Sequence, residues 1–281
     1  MRRTGTPSFW NSLAREHYPL SSMSPMLSPM LAGLRILVTR PAGDGANEWA
    51  VAFAERGAVP VLFPTLAIVP PQSWQPVDDA VARLDSYDWL VLTSQNAVAY
   101  FSSRLPGSRF PAAMRAKIAA VGDATAAAIA QARGKVALVP TDKRQEGLAE
   151  AMTSASAAAR VLFPVAAEGR MLLVQALRAA GAGVDVVTAY RTEAKRDLAA
   201  PPPFDAAVFA SPSALRAFVA ALGTIPLDGK IIAVLGPTTA EEAHARGLAP
   251  LVAAAPSVDA LADAISRSLA LSVQGGSHVV S

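Results

Sequence analysis

Residues 232–247 read IAVLGPTTAEEAHARG, and the fold is decided by how this stretch is built. The apolar run at 231–235 suits a parallel strand buried on both faces. Gly236 and Pro237 break it. Thr238 or Thr239 then offers a hydroxyl to cap a helix, with Glu241 and Glu242 expected in the first turn, where the dipole favours negative charge. Arg246 and Gly247 supply a late cation and a C-terminal glycine stop. Residues 118–134, IAAVGDATAAAIAQARG, run through the same order of strand, glycine turn, threonine, alanine-rich helix and Arg-Gly stop. A strand feeding a helix through such a turn presents free N–H groups to an anion. Any parallel α/β protein also needs turns of this kind, so the element alone leaves both purposes open.

The pattern continues outward in both directions. Strands are expected at 35–40, 59–64, 88–94, 136–140, 160–165 and 231–235, with strand-to-helix units at 118–134 and 206–219 and extended segments at 66–69, 184–192 and 250–255, alternating with helical stretches. The order indicates parallel sheets covered by helices on both faces. Three pairs repeat. VLTSQNAVAYF (91–101) matches VFASPSALRAF (208–218), the Gly-Thr element follows each, and the strand-helix-glycine unit at 35–57 matches that at 160–181. Two similar α/β domains are expected. An Ala/Ser-rich patch at 153–159 is the obvious linker in sequence.

Composition narrows the function. With 281 residues, 52% of them hydrophobic and 17% charged, the chain builds a large core and is not globally disordered. No apolar run reaches the ~20 residues of a membrane span. Cysteine is absent, and three histidines, at 17, 244 and 278, share no ligand spacing, so neither a disulfide framework nor a metal centre is expected. The net charge of +3 comes without a Lys/Arg run or aromatic-basic interleaving, which argues against nucleic acid and is compatible with a small anion. No dinucleotide fingerprint, P-loop or nucleophile elbow is present. Residues 1–30 are rich in Ser, Pro and Met and are expected to be a disordered extension; 272–281 are expected to be a disordered tail.

Short hydroxyl residues stand at the carboxyl ends of the strands: Thr39, Ser94, Thr125, Ser211, Thr238 and Thr239. Ligands bind at such ends in open α/β sheets, but a hydroxyl there is equally explained by helix capping. Tyr190, within VVTAYRT, interrupts a β-prone run, either as a sheet-surface or hinge residue or as a proton donor.

Together these pieces resemble the uroporphyrinogen-III synthase family. The stretches that carry the resemblance are ILVTRP (36–41), LTSQNAV (92–98), AAVGDATA (119–126), LFP (162–164), GAGVDVVTAYRT (181–192), FASPSAL (209–215), AVLGPTTAEEAHARG (233–247) and APSVDAL (255–261). The resemblance implies two parallel-sheet α/β domains joined by a two-stranded antiparallel linker, with a cleft between them. It also implies a swap that the internal repeat does not suggest. Residues 31–64 and 193–271 would form one domain and 72–183 the other, joined by 65–71 and 184–192. The implied activity is a cofactor-independent lyase, EC 4.2.1.75, in haem and tetrapyrrole biosynthesis. It closes hydroxymethylbilane to uroporphyrinogen III with loss of water and inversion of ring D. Tyr190 is the implied acid. The implied substrate contacts are Thr39, Arg40, Ser94, Asn96, Gly122, Thr125, Ser211, Gly236, Pro237, Thr238 and Thr239. A cytoplasmic monomer without metal, nucleic acid or membrane partner is implied, in transient contact with the preceding pathway enzyme. A two-lobed binding protein that closes on a small anion without catalysis would carry the same hydroxyls and hinge.

Overall fold

The computed structural model describes residues 31–153 and 155–275. The extension expected at 1–30 lies outside them. In chain order the elements are β1 (Arg35–Val38), α1 (Asp44–Ala54), β2 (Val59–Leu62), β3 (Leu66–Val69), α2 (Gln75–Ala82), β4 (Trp89–Leu92), α3 (Gln95–Ser102), β5 (Lys117–Ala120), α4 (Asp123–Gln131), β6 (Val136–Leu138), α5 (Gln145–Thr153), β7 (Arg160–Ala166), α6 (Leu172–Ala179), β8 (Gly183–Ala194), β9 (Ala206–Phe209), α7 (Pro212–Leu222), β10 (Ile231–Val234), α8 (Pro237–His244), β11 (Leu251–Val252) and α9 (Val258–Gly275). Helix α9 runs through 272–275, so the tail is helical further than expected; 276–281 lie outside the described residues.

Two sheets form. One has the order β11-β10-β9-β1-β2, the other β3-β8-β7-β4-β5-β6. The first is parallel throughout and draws its strands from both ends of the sequence. The second is parallel except where β3 pairs antiparallel with β8, from Leu66 opposite Ala194 to Val69 opposite Arg191. The Ala/Ser patch at 153–159 connects α5 to β7 within the second sheet rather than linking the two sheets. Residues 183–190 of β8 are also hydrogen-bonded alongside β7.

Alternation on the central strands explains the layers. Ile36, Val38, Ala206 and Val208 face a core shared with Trp49 and Phe53 of α1 and Leu261 and Ile265 of α9. Leu37, Ala207 and Phe209 face the opposite core, with Leu215 and Phe218 of α7 and Ala240 and Ala243 of α8. In the second sheet Leu90, Leu92 and Ile118 meet α2, α3 and α4, while Val91, Val161 and Phe163 meet α5 and α6. A strand buried on both faces has to be apolar at every position, which is why these strands read as unbroken apolar runs. Strand β3 joins the two units, since Leu66 packs into the core under α7 and Ile68 packs against the core under α3.

Helix α8 begins earlier than its threonines suggest. Gly236 is the N-cap and makes no side-chain capping bond. Pro237 takes the first helical position, where its fixed φ is preorganised and its missing N–H costs nothing. Neither Thr238 nor Thr239 is the cap, and Glu241 and Glu242 fall in the second turn. Helix α1 likewise starts inside a glycine-containing stretch, PAGDGAN (41–47), at Asp44, after Gly43 at φ 130°, a region that favours glycine.

The two distant parts of the first sheet are pinned where β1 meets β9. Asp205 accepts from the Arg35 backbone N–H at 2.9 Å and from its guanidinium at 3.0 and 2.8 Å. Side-chain and backbone hydrogen bonds from Arg35 lower the Asp205 pKa to about 2, against an ordinary value of ~3.9. A carboxylate depressed in the folded state stabilises the fold above its unfolded pKa and stops doing so as pH falls through the folded value. Both side chains are more than a third exposed or close to it, so solvent keeps the effect small. Asp205→Asn is expected to melt below wild type at neutral pH, with the gap shrinking from about pH 4 and closing near pH 2. Thermal melts across that range check it; a gap independent of pH would mean that the ion pair contributes nothing.

Candidate active site

A cavity forms where β1 ends against the second sheet. Arg40, just past β1, lies over the Trp49 ring of α1 with its guanidinium carbon 4.8 Å from the ring centroid. Gly45 makes room for it, because a Cβ there would sit 2.9 Å from Arg40 Nη2. Among the described residues Arg40 makes no ion pair within 4 Å. Burial lowers its pKa, with the Glu48 charge opposing, but a guanidinium remains charged. Arg40, Gly43, Gly45, Ser94, Asn96 and Thr125 line a cavity of about 270 Å³. Three helices, α1, α3 and α4, start at its wall, and each start carries free N–H groups and a partial positive charge. A lone guanidinium among three helix N-termini is a place for carboxylates.

Tyr190 is attached to this cavity through Ser94. The two hydroxyls are 3.0 Å apart, and either can donate. Ser94 is also the N-cap of α3, its Oγ accepting from Ala97 N–H at 3.0 Å. The phenol reaches this place because β8 is irregular. Val165 faces Thr188, but the next pair is Ala166 with Tyr190, leaving Ala189 as an extra residue. A bulge of this kind re-aims the side chain that follows it. Regular alternation would put Ala189 and Tyr190 on opposite faces. Instead both join the core that already holds Val187. The Tyr190 ring stacks on Tyr100 with centroids 5.8 Å apart, and Tyr100 stacks on Trp74 at 6.3 Å. Tyr100 in turn donates to the Ile68 carbonyl of β3 at 2.9 Å, which ties the stack to the connecting strand.

The structure therefore brings together Arg40, Ser94, Asn96, Thr125 and Tyr190, with Gly122 beside them as the N-cap of α4. Asp123, in the first turn of that helix, is ion-paired with Lys143. Ser211 caps α7, accepting from Ala214 N–H at 3.3 Å, and lines a separate cavity of about 480 Å³ with Glu168, Thr192 and Arg216. Thr238 is exposed and Thr239 is buried at the start of α8; neither they nor Gly236 and Pro237 line either cavity. Thr39 is fully buried, and its hydroxyl donates to the Val208 carbonyl at 2.7 Å, joining β1 to β9. That makes Thr39 a structural residue, not a contact open to a ligand. Gly45, Trp49 and Tyr100 are not singled out by local sequence pattern, because their importance lies in what they touch across elements. Among the described residues no group of three or more His, Cys, Asp or Glu is placed to hold a metal ion, and no helix is long and apolar enough to cross a membrane.

A family model described as uroporphyrinogen-III synthase HemD matches residues 47–263. The uroporphyrinogen-III synthase of Synechococcus elongatus is 39% identical over 173 residues, covering 59% of this chain and 64% of that protein. The porphyrin biosynthesis protein HemD of Ruminiclostridium josui is 28% identical over 247 residues, covering 83% of this chain and 48% of that protein. The chain thus spans between about half and just under two thirds of these relatives' length. Among solved structures, the uroporphyrinogen-III synthetase of Helicobacter pylori superposes with a TM-score of 0.53 at 18% identity, covering 85% of this chain and 99% of that one. At that identity the likeness shows the fold alone.

Thr39→Val keeps the volume of this buried residue and removes its donor, leaving the Val208 carbonyl without it. A loss of about 1–2 kcal/mol in unfolding free energy is expected, read from denaturant titration. An unchanged midpoint would show that the hydroxyl does not hold β1 to β9.

Proposed function

The chain belongs to the uroporphyrinogen-III synthase HemD family, and we propose that it closes hydroxymethylbilane to uroporphyrinogen III with loss of water and inversion of ring D. The observation that supports this most is the phenol of Tyr190, set by a bulge and bonded to Ser94 at a cavity whose cation and helix starts suit a polycarboxylate. The substrate is a flexible linear tetrapyrrole with many carboxylates. Holding its two ends in the closing geometry lowers the barrier by removing freedom before the reaction. Arg40 takes a carboxylate, with the N–H groups opening α3 and α4 taking others alongside Asn96 and Thr125. Gly122 puts no side chain of its own over the start of α4. The second cavity, with Ser211 and Arg216, receives a more distant part of the substrate.

The chemistry asks little of the protein. The pyrrole nitrogen pushes electrons as the hydroxymethyl C–O bond breaks, and Tyr190 gives its proton to the departing oxygen, which leaves as water. The methylene carbon so freed is attacked by the ring D carbon that already carries the link to ring C; that link then breaks, and its methylene carbon bonds instead to the free α-carbon of ring D, closing the macrocycle with ring D inverted. That α-carbon loses its proton as the ring becomes aromatic again, and the proton restores the phenol. No redox step occurs, so the residues at the cavity suffice without a cofactor. The protein works as a cytoplasmic monomer that receives its substrate from the preceding enzyme. A binding protein that only closes on an anion is the alternative, and it leaves the substrate to cyclise without inversion.

Product isomer analysis tests this directly. The wild type is expected to yield the type III isomer, and only the unrearranged isomer would mean no catalysis. Tyr190→Phe is expected to lower kcat roughly ten- to a hundred-fold and to leave KM within a few-fold. Its melting temperature should stay close to wild type, because the ring and its stack are kept. Wild-type kcat in this variant would remove the phenol from the mechanism.

Gly45→Ala tests the carboxylate site. The new methyl displaces only the flexible end of Arg40, and alanine suits a helix better than glycine. KM is expected to rise about three- to tenfold with kcat nearly unchanged and the melting temperature level or higher. Unchanged KM would mean that Arg40 does not hold substrate.

A further inference from the structure

Ser94 lines the cavity, which makes it a candidate substrate contact, but its bonding points to a different task. A hydroxyl has one proton and two lone pairs. One lone pair of Ser94 is taken by the Ala97 N–H of α3. Its other partner is the Tyr190 phenol at 3.0 Å. If the phenol donates to Ser94, both lone pairs are filled and the phenol proton is consumed inside the protein. If Ser94 donates, its own proton is satisfied and the phenol proton points elsewhere. The Tyr190 ring is held on one side by its stack with Tyr100 and along the backbone by the Ala167 N–H bonding its carbonyl at 2.9 Å. With the ring held, the direction of this one hydrogen bond decides whether Tyr190 has a proton to give.

We propose that Ser94 is a positioning residue that acts through Tyr190, donating to the phenol oxygen so that the phenol proton is presented to the leaving hydroxyl. This rests on the function proposed above. As the C–O bond breaks, the phenol O–H bond breaks with it and the proton leaves in the water formed. The phenolate oxygen left behind is held by the Ser94 O–H. Ser94 is in turn anchored by the first turn of α3, whose dipole favours the negative charge. The proton shed by the closing pyrrole carbon then returns to the phenolate, and Ser94 keeps its own proton throughout. The hydroxyl therefore couples a helix N-terminus to a reacting group without itself changing state.

The test separates this role from both capping and substrate contact. Ser94→Ala removes the cap and the donor together and costs stability. Ser94→Gly removes only the donor, because glycine is itself a good N-cap and costs just a few tenths of a kcal/mol there. Ser94→Thr keeps both. With wild type making the type III isomer, Ser94→Gly is expected to lose about tenfold in kcat with KM within twofold and a melting temperature near wild type. Ser94→Thr is expected to recover most of the rate. In the Tyr190→Phe background Ser94→Gly is expected to cost less than about twofold, because the phenol through which Ser94 acts has no oxygen left. An equal loss in both backgrounds, or a loss confined to KM, overturns the proposal and makes Ser94 a direct substrate contact. A wild type that yields no type III isomer overturns the proposed function itself, and this inference with it.

Discussion

The pairing of β1 with β9 is the constraint on which the rest of the molecule depends. These strands are separated by about 170 residues, yet Ile36 lies opposite Ala206 and Val38 opposite Val208 in a parallel ladder. Arg35 and Asp205 close its lower end and the Thr39 hydroxyl its upper end. Once β1 is a central strand of a sheet otherwise built from the C-terminal part, the chain must leave that sheet after β2 and return to it before β9. It does both along one edge, where β3 and β8 run antiparallel. The loop that follows β1, with Arg40 and Gly43, then meets the starts of α3 and α4, which belong to the other sheet.

The chemistry of the cavity follows from that meeting. Parallel strands that each run into a helix put the helix N-termini at one end of the sheet, so a face opposing such an end sees several partial positive charges together. Nothing in the described cavity neutralises Arg40, which is packed on Trp49 instead of paired with a carboxylate. A cation kept partly out of water without a partner is costly, and the cost is recovered when an anion arrives. Tyr190 enters from a third direction. Were Ala189 paired regularly instead of bulged, the Tyr190 side chain would lie on the far face of β8, away from Ser94 and Tyr100. The bulge costs one ladder pairing and sets the phenol at the cavity.

The repeated hydroxyls show where sequence stops being informative. Thr39, Ser94 and Ser211 follow strand ends and Thr125 lies in the first turn of α4, yet all four look alike in the chain. In the fold Thr39 is sealed under β9, Ser94 and Thr125 line one cavity, and Ser211 lines another. Capping is similarly local yet hard to place. Ser94 and Ser211 cap their helices, whereas at 236–239 glycine and proline begin the helix before either threonine is reached.

What the sequence determined by itself is what short-range physics encodes. Unbroken apolar runs specify strands buried on both faces, glycine and proline specify where each strand turns into a helix, and the absence of cysteine specifies chemistry without thiolates. Parallel two-layer-covered sheets, their alternation with helices and the extended segment around Tyr190 all follow from these. The tertiary structure decided which sheet each strand enters, because an apolar strand pairs equally well with any apolar neighbour and the local pattern carries no address. It also decided the bulge at Ala189, the seat of Arg40 on Trp49 and the burial of Thr39, since each is a contact between residues brought together only when distant elements pack.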